Sequence, residues 1–262
     1  MIYFENKTSQ IRDIQKGVFF MVIDWSVTEV YNTIMAVSTG VGLLLILRFG
    51  SHLAKQKVGQ LEGWAIGFAI PGFILTITGA HMSFTWPLSK IGFPFDDIIF
   101  GEPSLAFGIL LMAVSILLWR KSNLYIRQGM NMDDSIIVSN TLKKELPYLI
   151  KPLSYFAAAM GLALISIAFA GIRFQLFAAP PEEPISGNFA DYPMLEATFM
   201  SGLFAIIGIG AVLFPFALNK NANPNFAKVI KFLWTIAGIA FVLFGAMNYF
   251  THIGLIVNTM PK

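Results

Sequence analysis

The chain has 262 residues, of which 56% are hydrophobic and only 13% charged, with a net charge of +3 and no cysteine. A soluble domain carries about 25% charged residues, so the composition excludes an ordinary soluble fold and predicts an all-α integral membrane protein. Without cysteine, disulfides, thiolate metal sites and iron–sulfur clusters are excluded as well.

Residues 1–16 are polar and of mixed charge, which is not the pattern of a signal peptide. The run GVFFMVIDW that follows (17–25) is too short to cross a hydrocarbon core of ~30 Å. Its aromatic content predicts a helix lying in the membrane interface. The chain therefore divides into a polar and interfacial segment, 1–26, and a six-span transmembrane domain, 27–262.

Six apolar stretches are long enough to span: 27–48, 62–86, 98–119, 148–177, 193–218 and 229–255. Between the third and fourth, the segment SIIVSNTLKKEL predicts a short amphipathic helix. One face of the resulting bundle carries 12 of the 18 basic residues, among them Arg48, Lys55, Arg120, Arg127, Lys143, Lys144 and Lys231, against four of the 15 acids. Basic loops stay on the cytoplasmic side. This reading places the protein in the cell membrane as a multi-pass protein with both termini extracytoplasmic. Membrane orientation accounts for the basic residues, so nothing calls for nucleic acid as a partner.

The spans resemble one another. GFILTITGAHMSFT in the second and GIAFVLFGAMNYFT in the sixth align without a gap, matching Gly72 with Gly238 and Gly79 with Gly245. In the third and fifth, a glutamate precedes a glycine by the same spacing (Glu102 and Gly108, Glu196 and Gly202). The simplest arrangement is three tandem helical hairpins, one–two, three–four and five–six, forming a pseudo-threefold bundle.

Glu29, Glu102 and Glu196 each open an odd-numbered span, and His81 and His252 lie near the far ends of even-numbered ones. Alternating topology gathers all five at the outer membrane boundary. Ionisable groups at a membrane boundary normally face the bundle interior and a partner. Imidazole with two or three carboxylates suits Fe, Cu, Mn or Zn, which makes His81, Glu102, Glu196, Glu29 and His252 a candidate metal site. A haem b held by His81 with Met247 or His252 is a further option, although the repeat aligns His81 with Met247 rather than with His252. Acidic residues also favour the first turn of a helix for purely electrostatic reasons, so a structural role stays open. Arg173, at the same end, is the natural counter-charge for one of the glutamates.

Three functions follow: redox or metal handling, with the lipid bilayer, further membrane subunits of a respiratory-type complex or a second copy as partners; cation or proton transport; and a structural subunit without a cofactor. Polar residues do not continue into the inner halves of the third and fifth spans (ILLMAVSILLW, IIGIGAVLFPFAL), which weighs against transport. No phosphate-binding loop, dinucleotide fingerprint or hydrolase elbow is present.

The stretch FGEPSLAFGILLMAVSILLW (100–119), with ITGAHMSFTWPL before it, resembles a family of small bacterial and archaeal membrane proteins classed as a domain of unknown function. The resemblance covers the chain from about residue 30. It implies about six helices and an outer site at the GEP and GAH segments, and it implies no activity.

Overall fold

The computed structural model describes residues 31–85, 95–219 and 221–260. The 17–26 segment, Glu29 and Trp86 lie outside them. The described residues form six helices long and apolar enough to cross a membrane: α1 (Asn32–Ala54), α2 (Leu61–Thr85), α3 (Glu102–Arg127), α4 (Ser135–Phe174), α5 (Pro193–Ala217) and α6 (Pro224–Thr259). A π-helical turn, Asp97–Gly101, leads into α3, and a 3-10 turn, Ser186–Phe189, precedes α5. The protein is thus a multi-pass helical membrane protein whose surroundings are a lipid bilayer.

Local chemistry sets the helix ends. Pro103, Pro193 and Pro224 occupy first-turn positions, where a missing amide donor costs nothing. Asp134 caps α4 by accepting hydrogen bonds from the Ile136 and Ile137 amides at 3.1 and 3.0 Å, and Asn223 caps α6 through the Asn225 amide at 2.9 Å.

The largest departure from the sequence reading is α4. The expected amphipathic helix and the fourth span are one 40-residue helix running through Pro147 and Pro152. Each proline removes a single amide donor, and tertiary contacts hold the N-terminal turns. Val138 and Leu142 are fully buried, and Ser139 Oγ donates to the Val58 carbonyl while accepting from the Val58 amide, both at 2.9 Å. Nearby, Glu145 accepts from Lys121 Nζ at 2.6 Å and from the Tyr125 hydroxyl at 2.9 Å. These contacts tie the connection before α2, the end of α3 and the start of α4 into one polar layer at the basic end of the bundle.

The closest helix pairs are α2–α3, α4–α5 and α1–α6. The expected hairpins one–two and five–six are in contact as well but less extensively, and α3–α4 is the loosest of the sequential pairs. Two glycines facing each other make each close pair possible. A Cβ on Gly161 would lie 2.6 Å from the Gly208 carbonyl oxygen, and one on Gly208 2.6 Å from that of Gly161. The same reciprocal approach joins Gly72 with Gly108 (3.2 and 2.8 Å) and Gly40 with Gly238 (2.6 and 3.3 Å). Lipid supplies no hydrophobic force between helices, so backbone approach through small residues brings the helices together. Gly202, expected to match Gly108, meets no atom of another element within 4 Å of its Cβ position among the described residues. The Glu102–Gly108 and Glu196–Gly202 spacings therefore place one glycine in a helix contact and the other in open space.

Candidate functional site

The helices enclose a chamber of about 370 Å³, within the ~300–1,000 Å³ range of small-molecule pockets. Its wall reads as matching stripes on the odd-numbered helices. Asn32, Ala36, Thr39, Leu43 and Ile46 come from α1. Phe100, Ser104, Phe107, Leu111 and Val114 come from the π turn and α3, and Met200, Phe204, Ile207, Ala211 and Phe214 from α5. The spacing within the stripes is identical, and the paired glycines Gly40, Gly108 and Gly208 stand at the same place in each. From α4 come Ile150, Ala157 and Leu164, and from α6 Trp234, Phe241 and Asn248. The chamber extends along α1 from Asn32 to Phe49, roughly 25 Å at the helical rise. Over that length the volume describes a slot rather than a round hole.

One end of the slot is polar. Asp96, Glu183, Glu196, His252, Asn248 and Asn32 line it, whereas Phe49, Val114, Ile150 and Trp234 line the opposite part. Asp96 and Glu196 lie one turn before the first stripe residue on their helices. The corresponding position before α1 is Thr28, next to Glu29, and lies outside the described residues. Neither Lys nor Arg is among the described lining residues.

The connection from α4 to α5 folds over this end. Gln175, in the left-handed region (φ 54°), terminates α4, and Leu176, Phe177, Ala178, Ala179 and Pro180 then border the chamber. The Ala179 amide donates to Glu196 Oε2 at 2.9 Å. His252 Nε2 lies 3.7 Å from Glu183 Oε1, and Asn258 Nδ2 donates to the Glu182 carbonyl at 2.8 Å. Next to Glu183, the Ser186 amide donates to the Pro184 carbonyl at 2.8 Å around Ile185 at φ 69°, ψ −69°. This is a γ-turn of the rare, strained hand, held by a β-branched residue at positive φ. Phe100, Phe177 and Phe204 pack together beside the carboxylates, with ring centroids 5.5 to 6.2 Å apart.

Burial pushes Glu183 above the ordinary carboxylate range, and the neighbouring Thr251 hydroxyl opposes the shift. Asp96 is pushed up to about 7, first by burial and then by the charge of Asp97 beside it. Two buried polar atoms of the lining, Asn32 Oδ1 and His252 Nδ1, have no hydrogen-bond partner among the described residues. Buried polar atoms in native proteins are nearly always satisfied, so a ligand or water facing the slot is their natural complement.

The predicted site residues divide between two surroundings. Glu196 and His252 both line the polar end of the chamber. Glu102 is exposed, on the helix face it shares with Ile98, Ile109 and Ile116, all 39% exposed or more. That face is rotated away from the chamber stripe, and Glu102 remains a first-turn acid of α3. His81 is exposed, with its ring edge-on to Tyr31 at 5.7 Å. Met247 is half-buried, and neither it nor His81 lines the chamber. Arg173 lies against the Phe174 ring, its guanidinium carbon 5.6 Å from the centroid, and makes no ion pair with a carboxylate among the described residues. No group of three His, Asp or Glu side chains among the described residues is placed to hold a metal ion.

Sequence reasoning passed over Asp96, Glu183, Asn32 and Asn248. A usable signal was present for two of them. Asn248 is a lone amide in an otherwise apolar stretch, AGIAFVLFGAMNYF, and Asp96 stands as far before Gly108 as Glu196 does before Gly208.

Fold and site together define a polytopic helical membrane protein built around a slot with one acidic end. The chain belongs to the family described as Protein of unknown function (DUF981), whose profile matches residues 28–254. No curated protein and no solved structure matches it.

Proposed function

We propose that this protein binds an elongated, lipid-like amphiphile inside the bilayer, its apolar body in the slot and its head among Asp96, Glu183, Glu196 and His252. The observation that carries this reading is the asymmetry of the chamber wall, apolar over most of its length and acidic at one end. A head facing three carboxylates, with no lysine or arginine among the described lining residues, is favoured when it donates hydrogen bonds or carries positive charge, because ionised carboxylates repel an anionic head. An ion path fits less well, since the lining turns apolar beyond the acidic end. The loose α3–α4 seam is the natural route of exchange with the bilayer.

The matching stripes on α1, α3 and α5 support an internal threefold repeat in which Asp96 and Glu196 are equivalent. The repeat unit would then pair helices through the facing glycines rather than as the hairpins one–two, three–four and five–six. We also assign the end carrying Arg48, Arg120 and Lys143 to the cytoplasm, on the excess of basic residues there. The acidic end then faces outward.

A second reading, a transition metal at the acidic end, draws on the 3.7 Å approach of His252 to Glu183 with Glu196 bordering the same space. One preparation tests both. Organic extraction and mass spectrometry of the detergent-purified protein are expected to yield an amphiphile near one equivalent, lost in a Thr39→Phe variant that narrows the slot. Elemental analysis of the same sample reads the metal. A stoichiometric metal without an amphiphile would replace the first reading with the second.

A further inference from the structure

We propose a second and separate ligand site, for an anionic phospholipid, in the groove between α3 and α4 at the basic end. The groove, of about 740 Å³, is lined by Ala113, Ile116, Leu117, Arg120, Arg127 and Leu149, with Lys121, Asn123 and Leu124. Positions 113, 116, 117, 120, 124 and 127 fall on one face of α3, so the helix itself orders the chemistry. Apolar side chains come first toward the middle of the span, and two guanidinium groups follow at its end.

The charges are not equivalent. Lys121 is taken up by Glu145 at 2.6 Å, whereas Arg120 and Arg127 are exposed and have no ion-pair partner among the described residues. Arginine binds phosphate through its planar fork of donors. Asn123, between the two arginines on the same face, adds a neutral donor. Ile116 is 56% exposed, a surface that an acyl chain would cover. Basic pockets between spans with an apolar floor suit phosphate headgroups. Soluble phosphate would leave that floor unused, so the occupant is a phospholipid with net negative charge. Its phosphate would lie between Arg120 and Arg127, with a chain along Ile116 and Leu117. This site is at the opposite end of the bundle from the carboxylates and does not depend on the role of the slot.

Native mass spectrometry of the detergent-purified protein, titrated with phosphatidylglycerol or phosphatidylcholine, tests it. The wild type is expected to bind phosphatidylglycerol at least tenfold more tightly than phosphatidylcholine. Arg120→Gln/Arg127→Gln is expected to lose that preference while keeping its helical circular dichroism. Lys143→Gln/Lys144→Gln removes two exposed charges elsewhere at the same end and is expected to leave it intact. Equal binding of the two lipids, or equal loss in both variants, would overturn the site. Displacement of the lipid by millimolar inorganic phosphate would overturn the assignment to a phospholipid.

Discussion

Asp96 and Glu196, 100 positions apart in the chain, stand in the same relation to a helix contact: each precedes by twelve residues the glycine, Gly108 or Gly208, at which α3 or α5 meets a neighbour's backbone. Both border the chamber. The glycines let the helix backbones approach, and the helical period sets which face looks inward.

The glycine contacts give the first prediction. Replacing Gly208 with leucine drives a side chain into the Gly161 carbonyl, which is backbone and cannot swing aside. Overpacking costs ~1–3 kcal/mol where side chains can adjust, and a contact with backbone belongs at or above the top of that range. Gly202→Leu, on the same helix with open space around it, is expected to be neutral or slightly stabilising. Thermal unfolding of both variants in detergent checks the contrast.

The acidic end predicts a pH dependence. With Asp96 raised to about 7, the folded state holds a proton that the unfolded chain releases near pH ~3.9. The resulting stabilisation is complete below that value and is lost as the pH rises through 7. Glu183, raised by burial, acts in the same direction. The unfolding midpoint is therefore expected to fall between pH 5 and 8, and Asp96→Asn to flatten part of that slope. A midpoint that rises over this range would contradict the assignment.

Ile185 offers a test of the loop that covers the chamber. A non-glycine residue held in a sparse backbone region costs about 1–3 kcal/mol, and glycine adds back roughly 0.5–1 kcal/mol of chain entropy. Because Ile185 is 45% exposed, truncation gives up only about half of the ~1.5–3 kcal/mol of a fully buried side chain. Ile185→Gly is expected to raise the unfolding midpoint modestly, and Ile185→Val, which keeps the branch at Cβ, to leave it unchanged.

The spans were legible because a bilayer demands about twenty consecutive apolar residues, and nothing else in the chain imitates that pattern. That acids stand near the ends of the spans was legible for a related reason, since charged residues in a membrane protein concentrate near the boundary. Choosing among those acids was harder. Glu102 and Glu196 look alike by their distance to the next glycine, yet Gly108 makes a helix contact and Gly202 does not. Helix phase then decides, leaving Glu102 beside Ile98 and Ile109 on the outer face. Glu183 was not readable at all. It lies in a connection without periodicity, placed by Ala179 on Glu196 and by Asn258 on the Glu182 carbonyl, contacts that no spacing rule anticipates. The continuity of α4 through two prolines was hidden for the same reason, because burial of Val138, Ser139 and Leu142, with Ser139 bonded to the connection before α2, outweighs the local preference of proline.

The most direct test of the central claim compares two fluorescent probes with the same long alkyl chain, one ending in an amine and one in a carboxylate, by equilibrium binding to the detergent-solubilised protein. The amine is expected to bind at least tenfold more tightly, and Glu183→Gln/Glu196→Gln to erase most of that difference while Thr39→Phe weakens both probes. Equal binding of the two probes, or a preference for the carboxylate, would contradict an amphiphile site with an acidic head pocket.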